Sequence, residues 1–148
     1  MPPIVNFIVL NEANKHRIVC EIVEKLYTAG KRTIVHVTEE SEGQKLDQMM
    51  WSWKQNSFVP HLYCNEVNQE FTEPVIIAKS IIKTDRFDSL LLVQPADIKI
   101  IQTFDTVFDF AEKYDLALVK KSRERYKLYQ QENFKLNTYQ PGEYLHAE

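Results

Sequence analysis

Residues 4–10, Ile-Val-Asn-Phe-Ile-Val-Leu, constrain the fold more than any other stretch. All but Asn6 are apolar, with no alternation of apolar and polar positions, so a strand of this sequence has to be covered on both faces. That is the habit of a parallel sheet flanked by helices. Asn11 or Asn14 offers a cap for a following helix that runs to Ala29 and stops at Gly30. The rows Ile18/Ile22/Leu26 and Val19/Val23 give this helix a broad core face. Lys31 to Val37 then returns to β-branched residues, a second strand. A β-α-β opening on a chain of 148 residues, 44% hydrophobic, predicts one α/β domain over 1–148: Rossmann-like, with a mostly parallel sheet between helices.

Ser41-Glu42-Gly43-Gln44 reads as a capping box before a second helix with Leu46, Met49, Met50 and Trp53 on its core face. Trp51 is rotated about 100° off that stripe, and Phe58-Val59-Pro60 follows in a loop setting. Trp51 and Phe58 therefore either pack under the loop or anchor a partner. Further strands are expected at Val75–Ala78, Ser89–Gln94 and around Val107–Phe110, with 79–88 a connection and Asp97–Thr103 a short helix. Residues 139–148, with a Pro141-Gly142 turn, are expected to form a mobile or surface tail.

The same reading excludes several functions. The first β-α turn, Asn11 to Lys15, has no glycine, so backbone amides cannot approach a pyrophosphate closely there. There is no G-x-x-x-x-G-K-[ST] loop either, which argues that the nucleotide-type fold serves as a scaffold. Cys20 and Cys64, and His16, His36, His61 and His146, lack metal-ligand spacing, and Cys20 reads as a small core residue. A strand at Val107–Phe110 separates Asp105 from Asp109, so no acid/base pair forms. No cofactor, metal or catalytic group is expected. No run of about 18 apolar residues suggests a membrane span, and Met-Pro-Pro does not read as a signal peptide; a cytoplasmic protein is expected.

The chain has a net charge of −3, yet Lys120, Lys121, Arg123, Arg125 and Lys127 fall within eight positions, with Tyr126 and Tyr129 nearby. Tyr114 to Asn133 reads as an uninterrupted helix that buries Tyr114, Leu118, Ser122 and Tyr129, with Val119 and Tyr126 on one flank. A charged helix face is ordinarily just solvated. Arg123 and Arg125 lie roughly 160° apart on this helix and cannot serve one small ligand. Arg123, Tyr126 and Lys120 could serve one together.

The run Arg123-Glu124-Arg125-Tyr126-Lys127, followed by Phe134-x-Leu136-Asn137-Thr138, resembles the C-terminal signature of the chi subunit of bacterial DNA polymerase III. Ser57-Phe58-Val59-Pro60-His61, Val19-Cys20-Glu21-Ile22 with Gly30-Lys31-Arg32, and Leu46-Asp47 with Trp51 resemble the same family, in order over most of the chain. The resemblance implies a non-catalytic clamp-loader accessory protein. It would pair with the psi subunit as a heterodimer and bind the acidic C-terminal tail of single-stranded DNA-binding protein (SSB). Carried over by motif, the tail site would comprise Arg123, Tyr126, Thr138 and a lysine one turn earlier. Lys120 or Lys121 fills that place, while strict alignment puts Val119 there; helical spacing favours Lys120, three residues before Arg123. Val119 would line the apolar pocket. The psi-facing surface would carry over onto Trp51 and Phe58. The alternative from another class is direct nucleic-acid binding by the basic helix, with Tyr126 and Tyr129 stacking bases. The acidic net charge and the lack of a second basic stripe oppose it. A small nucleotide-using enzyme is opposed by the absence of both glycine motifs.

Overall fold

The structure, a computed structural model, describes residues 2–67, 72–81 and 87–143. Among these residues are seven strands and four helices, in the order β1 Ile4–Leu10, α1 Lys15–Thr28, β2 Thr33–His36, α2 Glu40–Ser52, β3 His61–Val67, β4 Val75–Ile81, β5 Ser89–Leu92, α3 Ile98–Ile101, β6 Thr106–Glu112, α4 Leu116–Gln131 and β7 Lys135–Tyr139. They form one sheet in the order β3-β4-β2-β5-β6-β1-β7, and every pairing is parallel. The apolar β1 is an interior strand between β6 and β7, as its double burial requires.

Alternation along the strands divides the core into two layers. Ile8, Leu10, Val35, Val37, Leu91 and Phe110 face α1 and α2. Val5, Phe7, Ile34, Leu90 and Val107 face the other way, with Ile101 of α3, and with Tyr129 of α4 and Phe134 just beyond it. The rows expected on α1 are all buried, Ile18, Val19, Ile22, Val23 and Leu26, each worth roughly 1.5–3 kcal/mol of apolar burial. Asn14 does stand at the N-cap of α1, but its side chain makes no capping bond; its Nδ2 donates to Glu12 Oε1 instead.

Several boundaries differ from the sequence reading. Helix α2 starts at Glu40 with Glu39 as N-cap, so Ser41 lies inside the helix and forms no capping box. Gly43 is on its buried face because the Tyr63 ring of β3 occupies the space where a Cβ would stand. Helix α4 starts two residues after Tyr114, because Asp115 caps it by accepting from the amides of Ala117 and Leu118 at 2.9 and 3.1 Å. Tyr114 thus leaves the α4 stripe and packs against the α1/α2 layer. Tyr139 is not tail: it pairs with Ile8 at the end of β7 and packs on the sheet. The expected Pro141-Gly142 turn is present, with Gly142 at φ 88°. Lys79 to Ile81 extend β4, while the remainder of the expected 79–88 connection at 82–86, like the tail residues 144–148, lies outside the described residues.

Candidate functional site

The roll of α4 about its own axis is fixed by one polar network. Asp109 in the middle of β6 is 3% exposed and takes a two-pronged bond from Arg125, Nε to Oδ2 at 3.0 Å and Nη2 to Oδ1 at 3.1 Å. The Arg125 Nη2 also donates to the Phe110 carbonyl at 3.0 Å, and the Tyr129 hydroxyl donates to Asp109 Oδ2 at 2.8 Å. Burial alone would lower the pKa of Arg125; the Asp109 charge and bonds outweigh it and raise the value. Burial, with Asp109 beside it, pushes the Tyr129 hydroxyl far up. Ser122 adds a second tie, accepting from the Glu112 amide at 3.2 Å. The basic run is therefore divided. Arg125 is a structural residue, and Asp109 is its counter-ion rather than an acid/base group.

With Ser122 and Tyr129 against the sheet, Arg125 lies about 60° to the β6 side. Tyr126, Val119 and Arg123 lie roughly 40°, 60° and 100° to the opposite side, toward the outer strand β7. Tyr126 and Val119 are half-buried; Arg123 and Lys120 are exposed. Among the described residues neither cation has a carboxylate partner. Thr138 of β7 is in register with Phe7 of β1, whose ring lies 5.3 Å from the Tyr126 ring. Leu136, on the same face of β7 as Thr138, packs into the same layer. The structure thus brings Tyr126, Val119, Arg123 and Thr138 to one side of α4 at the sheet edge. Lys121 lines a crevice on the other flank with Arg125 and Asp109. Phe7 and Leu136 lie in the layer beneath; neither is among the site residues expected from sequence. Phe7 reads from sequence only as part of the apolar run 4–10, and Leu136 only as part of the Phe134-x-Leu136-Asn137-Thr138 motif.

A second surface lies at the opposite edge. Trp51 is 50% exposed and Phe58 67% exposed, with ring centroids 5.5 Å apart. Beneath them is His61, the first residue of β3, its ring 4.2 Å from Trp51. The His61 ring is itself locked, with Nδ1 2.7 Å from the Val59 carbonyl and Nε2 3.0 Å from the Asp47 carbonyl. An exposed Trp on a buried, hydrogen-bonded platform is a rigid apolar anchor of the kind that dominates interfaces. α2 packs on β3 and β4, and α4 on β6 and β7. The two surfaces therefore sit on opposite faces of the sheet, toward edges separated by six strand spacings, roughly 29 Å.

The crevice that binds nucleotides in doubly wound sheets lies where adjacent strands send their helices to opposite faces. One such place here is between β1 and β6, where a crevice of about 300 Å³ has Lys15, Val93 and Glu112 in its lining, tied together through Lys15. Lys15 Nζ donates to the Val93 carbonyl at 2.8 Å and to Glu112 Oε1 at 3.1 Å, and the Tyr114 hydroxyl donates to Glu112 Oε2 at 2.7 Å. Cys20 is buried and burial pushes its thiol up to about 12, which removes it as a nucleophile. Among the described residues no group of three or more metal-ligating side chains converges, and no helix is long and apolar enough to cross a membrane.

A sequence model of the DNA polymerase III chi subunit (HolC) family matches residues 2–137. The chain belongs to the DNA polymerase III chi subunit family. Its relatives include the chi subunit of Escherichia coli strain K12, 30% identical over 122 residues, which are 82% of each chain. The Haemophilus influenzae chi subunit is 28% identical over 125 residues, 84% of this chain and 86% of the relative. That of Pseudomonas aeruginosa is 21% identical over 135 residues, 89% and 92%. This chi-family chain is accordingly an accessory component of replication, and the match ends at Asn137, just within β7.

Proposed function

We propose that this chi-family chain is a non-catalytic adaptor of the cytoplasmic DNA polymerase III holoenzyme. It would hold the psi subunit of the clamp loader through Trp51 and Phe58, as a heterodimer, and the acidic C-terminal tail of SSB through Arg123, Tyr126, Lys120, Thr138 and Val119. The observation that carries the tail site is the division of the basic helix. Asp109 consumes Arg125 internally, which turns the flank with Arg123 toward β7 and leaves it accessible. A tail ending in phenylalanine and a free carboxylate needs a guanidinium fork, an ammonium for upstream acids and an apolar seat for the ring. Arg123 supplies the fork. Lys120, on the solvent side of the same flank, supplies the ammonium, and Val119, Tyr126 and the Lys120 stem supply the seat. Lys121 points to the other flank, which favours Lys120 of the two.

The test is fluorescence anisotropy with a labelled SSB tail peptide at two salt concentrations. Arg123→Ala should weaken binding roughly ten- to a hundredfold, the worth of a charged hydrogen bond of about 1.5–3 kcal/mol. Lys121→Ala should bind as wild type does, apart from a general charge effect that salt removes. Equal binding by wild type and Arg123→Ala would sink the assignment. Tight binding of labelled single-stranded DNA without SSB, at low salt, would favour direct nucleic-acid recognition instead.

A further inference from the structure

The sheet face beneath α1 carries a polar row that neither proposed partner site uses. Register aligns Thr33 of β2 with Ser89 of β5 and Ser89 with Thr106 of β6 at the amino ends of the strands. All three lie on the face of Val35, Leu91 and Phe108, which pack against α1 and α2. Ser89 is 1% exposed, and Thr33 is 0% exposed with its Oγ1 unpartnered among the described residues. One row further in, Asn6 aligns with Phe108 and interrupts the apolar run of β1. Strands covered on both faces ordinarily put Val, Ile and Leu at such positions. Buried polar groups that break this rule concentrate where a protein binds something.

Between this floor and the C-terminal half of α1 is a cavity of about 470 Å³, within the range that holds a small ligand. Asn6, Ser89, Thr106 and the Phe108 ring face it from the sheet, Tyr139 closes one side, and Lys25 and Lys31 stand among its lining. Lys31 is held there by its backbone amide, which donates to the Leu26 carbonyl at 2.9 Å as α1 ends. Among the described residues no carboxylate lines the cavity, although the chain as a whole is acidic.

We propose that this cavity binds a small anion with a planar aromatic body. The rings of Phe108 and Tyr139 and the apolar side of α1 would take the body, the ammonium group of Lys31 the anionic group. The hydroxyls of Ser89 and Thr106 and the Nδ2 of Asn6, whose Oδ1 already accepts from Asn137 Nδ2 at 3.1 Å, would take its remaining polar atoms. The cavity is on the α1 side of the sheet, whereas the Arg123 flank is on the α4 side, so the two sites are separate.

The experiment is a titration of the ¹⁵N-labelled chain with phenyl phosphate, followed by amide shifts, in an Arg123→Ala background so that the α4 flank cannot contribute. Saturable shifts at Asn6, Ser89, Thr106 and Tyr139 are expected below roughly 10 mM, a range suited to a weak fragment. Inorganic phosphate and phenol, tested singly, should bind about tenfold or more weakly. Lys31→Glu, an exposed substitution, should weaken phenyl phosphate by about tenfold or more. Arms with adenosine monophosphate and N-acetylphenylalanine distinguish a nucleotide source from a peptide-end source of the same chemistry. Absence of saturation at these amides, or unchanged affinity in Lys31→Glu, overturns the proposal whatever the outcome at Arg123.

Discussion

Asp109 is the residue whose loss should reach furthest. Its carboxylate receives both prongs of Arg125 and the Tyr129 hydroxyl, and it also accepts from the Phe110 amide. Asp109→Ala leaves a half-buried guanidinium without its counter-charge and a fully buried phenol without an acceptor. Breaking a buried pair from one side costs about 3–5 kcal/mol, a large share of the roughly 5–15 kcal/mol that holds a domain together. Urea unfolding followed by circular dichroism should show that loss. Replacing the whole network, with Asp109→Leu, Arg125→Met and Tyr129→Phe in one chain, removes the orphaned groups and should return stability to within about 2 kcal/mol of wild type. The network also sets the roll of α4, so Asp109→Ala should weaken the proposed SSB tail binding at temperatures where it remains folded, though Asp109 is not among the proposed tail contacts. A cost below about 1 kcal/mol for Asp109→Ala, or a triple variant no more stable than the single one, would refute the reasoning.

Other outcomes follow from the same structure. His36 is 8% exposed, and burial pushes its pKa from 6.5 down to about 4. The unfolded chain then takes up a proton that the folded chain refuses, so stability is full above about pH 6.5 and falls, by about 1.4 kcal/mol per pH unit, toward pH 4. His36→Leu should flatten that slope in thermal melts between pH 6.5 and 4.5, and an unchanged slope would place the acid sensitivity elsewhere. A Cβ at Gly43 would overlap the Tyr63 ring, so Gly43→Ala should cost about 1–3 kcal/mol by overpacking, against the small gain in helix propensity. A neutral or stabilising result in chemical denaturation would mean that the Tyr63 ring moves aside freely. Trp51→Ala and Phe58→Ala should unfold within about 1 kcal/mol of wild type, since both are exposed, while each weakens psi binding by about 2 kcal/mol or more. Calorimetric titration with psi that shows no loss in either variant would remove the apolar patch from that interface.

What the sequence made legible tracks how local the cause is. β1, α1 and β2 could be read directly because double burial and helical periodicity leave their mark within each segment. β3 and β7 left no such mark. They are the two edge strands, and His-Leu-Tyr-Cys-Asn-Glu-Val and Lys-Leu-Asn-Thr-Tyr are too polar to read as interior strands. Asp115 ahead of Leu-Ala-Leu was a legible N-cap signal, and reading it would have started α4 at Leu116 and released Tyr114. The angular separation of Arg123 from Arg125 was legible, because the helix alone sets it. The fate of each arginine was not, since the Asp109 counter-ion lies on a strand 16 residues away. In the same way, Trp51 could be seen to leave the core stripe of α2. Only the fold shows that it rests on His61 with Phe58 at its edge. The resemblance supplied candidate names for the site residues, and the packing supplies a physical reason for one flank of α4 to be accessible.

The central claim is that one small domain holds two partners at once, at opposite edges of its sheet. The most direct test is the affinity of a labelled SSB tail peptide for the free chain and for the same chain saturated with psi, measured side by side by anisotropy. The account predicts dissociation constants equal within about twofold, less than half a kcal/mol of coupling, with the peptide migrating in the heavier complex. Displacement of the peptide by psi would contradict it.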